Sequence, residues 1–116
     1  MVKDMDSSLF SEKILDINNG DESNLLITKN TIIEFWVTWC PHCKAMMPRY
    51  EDASSKLKDT DCYRIEMEQN PGIADIFQVE SFPTFVFLTP DGNAQKWVGE
   101  VSEEDFINIA KKAFNK

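Results

Sequence analysis

The sequence predicts an α/β domain in which a central mixed β-sheet carries helices on both faces. The segment "TIIEFWVTW" (31–39) is β-branched and aromatic with almost no polar alternation, which is typical of a strand buried on both sides. Such a strand needs helices above and below it, and helix-like segments follow it. Near the C-terminus, "TFVFLTPDGNAQKWVG" (84–99) reads as strand, tight turn and strand. The chain has 116 residues, which is enough for one domain.

The first thirty residues carry the weakest patterns. We expect residues 1–12 to form an N-terminal extension, as a short helix or an ordered tail, and the domain to span residues 13–116. "KILDI" (13–17) alternates weakly and predicts a first strand, with one helix over 8–17 as the alternative. "NNGDE" (18–22) predicts a turn, and "SNLLITKN" (23–30) predicts a short helix.

The middle of the chain predicts a helix and then a strand after the buried strand at 31–39. "PHCKAMMPRYEDASSKLK" (41–58) begins with Pro41, which loses no hydrogen bond at the first position of a helix. Pro48 lies inside this helix and should kink it. "CYRIEM" (62–67) predicts the next strand.

The last part predicts two helices around the hairpin. "NPGIADIF" (70–77) reads as a helix with Asn70 as its N-cap. The hairpin divides into strands at 84–89 and 94–99, joined by "PDGN". "SEEDFINIAKKAFNK" (102–116) opens with Ser102 in a capping-box pattern and carries one apolar helical stripe. The predicted order is therefore β-α-β-α-β-α-β-β-α.

Composition limits the classes of partner. The net charge is −8 and the chain has two arginines, which argues against a nucleic-acid surface or an anionic membrane surface. The longest apolar stretch is interrupted by Glu34 and is too short to span a bilayer. "MVKDMDSSLF" has two acids and no apolar run, so it does not resemble a secretory signal. We expect a cytoplasmic, monomeric protein.

The cysteines indicate redox chemistry. Cys40 and Cys43 form a C-x-x-C pair with the only histidine, His42, between them, and Cys62 stands alone. A zinc site would need two more ligands than the pair supplies, and a c-type haem needs histidine where this chain has Lys44. A permanent structural disulfide is disfavoured in a reducing cytosol. A working dithiol is the interpretation that we favour.

Within the pair, position predicts two different roles. Cys40 follows a buried strand and precedes a helix, so its sulfur should lie at a helix N-terminus, where free N–H groups favour the thiolate. The thiolate is the nucleophile of disulfide exchange, so we expect Cys40 to attack and Cys43 to resolve the mixed disulfide. Cys62 belongs to no motif and is expected to be buried and inert.

These motifs together resemble the thioredoxin family over residues 13–116. "IIEFWVTWCPHC", the internal Pro48, "EQNPGIADIFQVESFPTFVFL", the "DG" turn and Gly99 fall in the order and spacing of the family. The resemblance implies a thioredoxin fold and protein-disulfide reductase activity. It also implies disulfide-containing protein substrates and an electron donor of the thioredoxin-reductase kind, without a metal or a bound organic cofactor.

The resemblance also assigns roles to further residues. Glu34 stands where the family usually has a buried aspartate beneath the resolving cysteine. Desolvation raises the pKa of such an acid towards neutrality, so it can take the proton of Cys43; the plainer alternative is an acid facing outward from a strand. Arg64 stands near the family's usual lysine partner for this acid. The Phe82–Pro83 bond is expected to be cis, and the expected rim of the substrate groove consists of Trp39, Pro41, Phe82 and Gly99.

His42 departs from the Gly-Pro dipeptide that reducing thioredoxins usually carry. An imidazole beside Cys40 would stabilise the thiolate and make the pair a stronger oxidant, as in the periplasmic DsbA type that "CPHC" resembles. Two alternatives to a reductase therefore stay open. One is an oxidase or isomerase in an oxidising compartment, and the other is a binding module in which the dithiol is incidental.

Overall fold

The computed structural model describes residues 1–16 and 25–115, and within them the chain forms one mixed β-sheet. The strands lie side by side in the order β1-β3-β2-β4-β5. β1, β3 and β2 run parallel, whereas β4 runs antiparallel to both β2 and β5. Their bounds are β1 Val2–Asp4, β2 Asn30–Trp36, β3 Thr60–Glu66, β4 Thr84–Leu88 and β5 Ala94–Val98. The predicted fold class is confirmed.

Helices cover both faces of this sheet. They are α1 Ser7–Lys13, α2 Pro41–Ser54, α3 Pro71–Phe77 and α4 Glu103–Phe114. Phe10 of α1 and Ile73 of α3 belong to one apolar cluster, and Met46 of α2 and Phe106 of α4 belong to the other. The sheet therefore separates α1 and α3 from α2 and α4.

β2 is the central strand, and its side chains supply both clusters. Ile33 lies in the α1/α3 cluster and Ile32 in the α2/α4 cluster, because successive side chains of a strand point to opposite faces. Both are fully buried, as is Glu34. The strand buried on both faces is thus confirmed, although it ends at Trp36 rather than at residue 39.

The predicted first strand at 13–17 is wrong. The first strand is β1, which pairs with β3 through Val2 opposite Cys62 and lies within the segment 1–12 expected to be an extension. Lys13 instead ends α1, which begins where the Asp6 carboxylate accepts a hydrogen bond from the Leu9 N–H. The helical spacing of Phe10 and Ile14, both fully buried, outweighs the weak alternation of "KILDI". Residue 17 lies outside the described residues.

The predicted helix at 23–30 is also wrong where the structure describes it. Leu25 forms an antiparallel bridge with Leu15, and the Leu26 N–H donates to the Ile14 carbonyl at 2.8 Å, so this segment pairs with the chain after α1. Asn30 already begins β2. The predicted turn at 18–22 and residues 23–24 lie outside the described residues.

The remaining elements follow the prediction with shifted ends. α2 ends at Ser54 and contains Pro48, and the Ser102 hydroxyl caps α4 by accepting from the Asp105 N–H at 3.1 Å. Asn70 precedes α3, but its side chain does not cap that helix: its carbonyl oxygen accepts from the N–H and the hydroxyl of Ser7. Asn70 therefore ties α1 to the start of α3. No helix among the described residues is long and apolar enough to cross a membrane.

Candidate active site

Cys40 lies at the N-cap of α2, as predicted from the strand that precedes it and the helix that follows. Its backbone is extended, with φ −99° and ψ 109°, and its Sγ accepts a hydrogen bond from the Cys43 N–H at 3.2 Å. On its other side the Sγ donates to the Phe82 carbonyl at 3.6 Å. The sulfur thus lies between the first turn of α2 and the loop before β4.

Cys43 lies one turn into α2 and is fully buried, whereas Cys40 retains 5% of its exposure. Both are free thiols in the structure. Burial, together with the hydrogen bond to Cys40, raises the pKa of Cys43 to about 12. The Cys43 thiol therefore holds its proton at neutral pH and needs a base before it can act as a nucleophile.

Glu34 is a carboxyl group without exposed surface in the central strand. Among the described residues, neither of its oxygens has a hydrogen-bond partner. Desolvation raises its pKa to about 8, and the charge of Arg64 offsets part of this rise. Its own charge acts on Cys43 and raises the pKa of that thiol. Glu34 is therefore a base with a pKa near neutrality, electrostatically coupled to the buried cysteine, and the alternative of an outward-facing acid is excluded by its burial.

The Phe82–Pro83 peptide bond is cis, as the resemblance implies. The Phe82 carbonyl faces Cys40, and the Pro83 carbonyl accepts from the Gly99 N–H at 2.9 Å. The Phe82 N–H has no hydrogen-bond partner among the described residues. This leaves one backbone donor next to the reactive sulfur for an incoming extended chain.

Trp39, Pro41 and Gly99 are the other residues expected at the rim of the substrate groove. Trp39 is 66% exposed, and its indole N–H donates to the Glu68 carboxylate at 2.9 Å. Pro41 is exposed as the first residue of α2. Gly99 is half-buried and has φ +112°, a conformation that side-chain-bearing residues rarely adopt. An exposed aromatic ring beside a nearly buried sulfur is suited to contact with another protein.

His42 has a partner that the sequence did not indicate. Its Nδ1 lies 2.8 Å from Glu100 Oε1, and the ring is 69% exposed. Glu100 Oε2 accepts from Arg49 Nη1 at 2.9 Å. The bond from His42, then that from Arg49, lowers the pKa of Glu100. The expected contact between His42 and Cys40 is absent from the hydrogen bonds of the described residues.

Sequence reasoning missed Glu100, Arg49 and Glu68. Glu100 and Arg49 lie in no recognisable motif, and Glu100 is 58 residues from His42 along the chain. Glu68 opens the stretch "EQNPGIADIFQVESFPTFVFL", but nothing in that stretch indicates its contact with Trp39. The one available signal was that Glu100 directly follows Gly99, itself assigned to the rim. The predicted burial of Cys62 is confirmed: it lies in the α2/α4 cluster, and burial raises its pKa to about 11.

Comparison with known proteins decides the family, because the family model described as "Thioredoxin" matches residues 12–112. The chain belongs to the thioredoxin family. It is 32% identical over 106 residues to a thioredoxin of Borreliella burgdorferi, covering 90% of this chain and 91% of that one. It is 34% identical over 91 residues to a protein disulfide-isomerase of Schizosaccharomyces pombe, covering 73% of this chain but only 25% of that protein.

The fold comparison agrees with this assignment. Thioredoxin f from spinach chloroplast superposes with a TM-score of 0.77 at 18% identity, covering 97% of this chain and 92% of that one. Thioredoxins are thiol–disulfide oxidoreductases, and this family member is accordingly a protein-disulfide reductase. Family members act on disulfide substrates and receive electrons from thioredoxin reductase.

Proposed function

We propose that this thioredoxin-family protein reduces protein disulfides through Cys40 as nucleophile and Cys43 as resolving thiol, with Glu34 as the proton acceptor. The observation that carries the proposal is the electrostatic coupling between two buried acids, the Cys43 thiol and the Glu34 carboxyl. Cys43 has a pKa of about 12, and Glu34, whose charge acts on it, has a pKa of about 8 and no hydrogen-bond partner among the described residues. A structural acid would be hydrogen-bonded or exposed.

In the first step the Cys40 thiolate attacks one sulfur of the substrate disulfide. The substrate S–S bond breaks, a mixed disulfide forms between Cys40 and the substrate, and the displaced substrate sulfur leaves as a thiolate that takes a proton from water. The Cys43 N–H donates to the Cys40 sulfur at 3.2 Å, which supports Cys40 as the attacking residue.

In the second step Cys43 resolves the mixed disulfide. Glu34 takes the Cys43 proton, and the resulting thiolate attacks the Cys40 sulfur and displaces the second substrate sulfur. That sulfur leaves as a thiolate and takes a proton from water, and Glu34 returns its proton to water. A disulfide then joins Cys40 and Cys43, and the substrate has gained two electrons and two protons. A thioredoxin-reductase-like donor returns the same number of electrons and protons to the protein.

The substrate is proposed to bind as an extended segment along the loop before β4. The Phe82 N–H, which has no hydrogen-bond partner among the described residues, supports this mode, since an extended chain supplies a backbone carbonyl as acceptor. Trp39, Pro41 and Gly99 would flank the segment, and Pro83 would lie against it next to the sulfur. We propose further that the protein works as a monomer in the cytoplasm, where protein disulfides are kept reduced.

Cysteine variants test the proposal. Cys43→Ser should accumulate a mixed disulfide with a disulfide-bonded test protein such as insulin, because the first step proceeds and the second cannot. Cys40→Ser should form none, and Cys62→Ser, the matched control, should reduce insulin at the wild-type rate with dithiothreitol as donor. Retained reductase activity in Cys40→Ser would overturn the mechanism. Loss of that activity with the biological function kept would instead favour a binding module.

A disulfide oxidase or isomerase is the second candidate function. The dipeptide Pro41-His42 between the cysteines favours it, and so, weakly, does the partial similarity to a protein disulfide-isomerase, of which this chain covers 25%. The reduction potential of the Cys40–Cys43 couple separates the two. A potential well below the cytosolic glutathione poise supports the reductase, and one clearly above it supports the oxidase or isomerase.

A further inference from the structure

The side chain of His42, between the two cysteines, is hydrogen-bonded to Glu100 and not to either cysteine. Its Nδ1 lies 2.8 Å from Glu100 Oε1, so the ring has a carboxylate partner. The Cys40 sulfur has the Cys43 N–H and the Phe82 carbonyl as its hydrogen-bond partners, and His42 is not among them in the described part of the chain. The redox dipeptide thus has a histidine whose ring is held by the loop between β5 and α4.

The second carboxylate oxygen of Glu100, the one that His42 does not contact, is bonded to Arg49. Arg49 donates from Nη1 to Glu100 Oε2 at 2.9 Å and to the Val101 carbonyl at 3.0 Å. Arg49 lies seven residues after His42 on α2, two helical turns along the same side. Glu100 therefore bridges two side chains of one helix face, one with each carboxylate oxygen.

The backbone on both sides of Glu100 is also fixed. The Gly99 N–H donates to the Pro83 carbonyl at 2.9 Å, and the Val101 N–H contacts Met46 Sδ at 3.4 Å. Pro83 follows the loop that faces Cys40, and Met46 is fully buried in α2. These contacts fix the backbone around Glu100 against the loop before β4 and against α2. A shallow pocket of about 470 Å³ is lined by His42, Phe82 and Glu100, among other residues.

The position of the ring has a direct consequence for the couple. An imidazole that donates to the Cys40 thiolate stabilises the reduced form, and a stabilised reduced form makes the disulfide a stronger oxidant. A ring engaged by Glu100 does not make this contact. The same dipeptide is therefore compatible with two redox behaviours, depending on the partner of its histidine.

We propose that Glu100, anchored by Arg49, is a positioning residue that keeps the His42 imidazole off the Cys40 sulfur and thereby keeps the Cys40–Cys43 couple reducing. The proposal deepens the proposed reductase function and rests on it. The electron balance of disulfide exchange is unchanged, because Glu100 alters only the relative free energies of the dithiol and disulfide forms.

The test is the redox equilibrium of the full-length protein with glutathione, measured for Glu100→Ala, Glu100→Gln and His42→Ala. Glu100→Ala frees the ring, so the equilibrium should shift towards the dithiol by about tenfold, which equals about 30 mV for a two-electron couple. Glu100→Gln keeps an oxygen that accepts from Nδ1 and should stay near the wild type. His42→Ala alone should also stay near the wild type.

Two controls separate positioning from a simple loss of charge. Glu104→Ala removes an exposed carboxylate from the neighbouring turn of α4 and should leave the equilibrium unchanged. In the double variant His42→Ala/Glu100→Ala the shift should vanish, because there is no ring to release. A shift that persists in the double variant, or no shift in Glu100→Ala, overturns the proposal.

The same experiment distinguishes this proposal from the proposed function. The reductase assignment depends on the wild-type potential and on insulin reduction by the wild type. The positioning role depends on the difference between Glu100→Ala and the double variant. The ultraviolet absorbance of the Cys40 thiolate across pH gives a second readout, and a loop with a merely structural role would not change it in a His42-dependent way.

Discussion

Glu34 and Arg64 are register partners on the parallel strands β2 and β3, but Arg64 donates from Nε to Asp4 Oδ1 at 2.8 Å rather than to Glu34. Both Glu34 oxygens are left without a hydrogen-bond partner among the described residues. Arg64 therefore acts on Glu34 through space: its charge lowers the pKa of Glu34, while the larger effect of burial raises it to about 8. A buried acid with a pKa near neutrality follows from this arrangement of two neighbouring strands.

The stability of the protein should depend on pH through Glu34. Its pKa rises from 4.5 to about 8 on folding, so the folded chain holds this proton more tightly than the unfolded chain does. The associated stability is fully present below the unfolded pKa and is lost as pH rises through the folded pKa. The free energy of unfolding should fall by roughly 5 kcal/mol across this window, as measured by urea unfolding at a series of pH values.

Glu34→Gln should remove this fall, because the amide is neutral at every pH in the window. The variant should therefore be more stable than the wild type above the folded pKa of Glu34. Glu104→Gln, at an exposed acid, should keep the wild-type pH dependence. If Glu34→Gln and the wild type lose stability in parallel, another group is responsible for the fall.

The resolving step should have the same titration. Only the ionised Glu34 accepts a proton, so the decay of the mixed disulfide should accelerate as pH rises through about 8, the pKa of this carboxyl. In Glu34→Gln the decay should slow by at least about 10²-fold at neutral pH and lose this inflection. Single-turnover mixing of reduced protein with a small disulfide, followed by acid quenching, measures the step. An unchanged inflection in the glutamine variant would assign the proton transfer to another base.

Arg64→Met should raise the pKa of Glu34 further, since the charge of Arg64 is the one effect that lowers it. The inflections in stability and in resolving rate should both move to higher pH. The loss of the pair with Asp4 should matter little for stability, because Asp4 is 79% exposed. Arg49→Met, at the other arginine of the chain, is the matched control and should leave both inflections in place.

The reactive part of the site was predictable because its chemistry is local. Cys40 and Cys43 lie in one short motif between a buried strand and a helix that begins with proline, and these features determine where the sulfur lies. Glu34 was recognisable as an acid in an otherwise apolar strand. The partner of His42 was not predictable, because the contact to Glu100 depends on how the loop after β5 packs against α2.

The fold shows the same division between strong local patterns and tertiary contacts. The buried strand β2 and the hairpin of β4 and β5 carry patterns with one interpretation, and both were predicted. β1 has three residues, too few to show a period, and it becomes a strand by pairing with β3. The segment at Leu25 was misassigned for a similar reason, since its bridge to Leu15 is a tertiary contact.

Gly99 and Gly72 form a matched pair for testing whether the positive φ of Gly99 in the groove rim requires glycine. A Cβ at either position would meet open space, so steric overlap does not separate them. Gly99 has φ +112°, whereas Gly72 lies in the first turn of α3. Gly99→Ala should destabilise the protein by about 1–3 kcal/mol through backbone strain, and Gly72→Ala should stabilise it by about 0.4–1 kcal/mol. Guanidinium unfolding measures the change in the free energy of unfolding for both variants. Equal changes at the two sites would show that the positive φ of Gly99 does not cause the destabilisation.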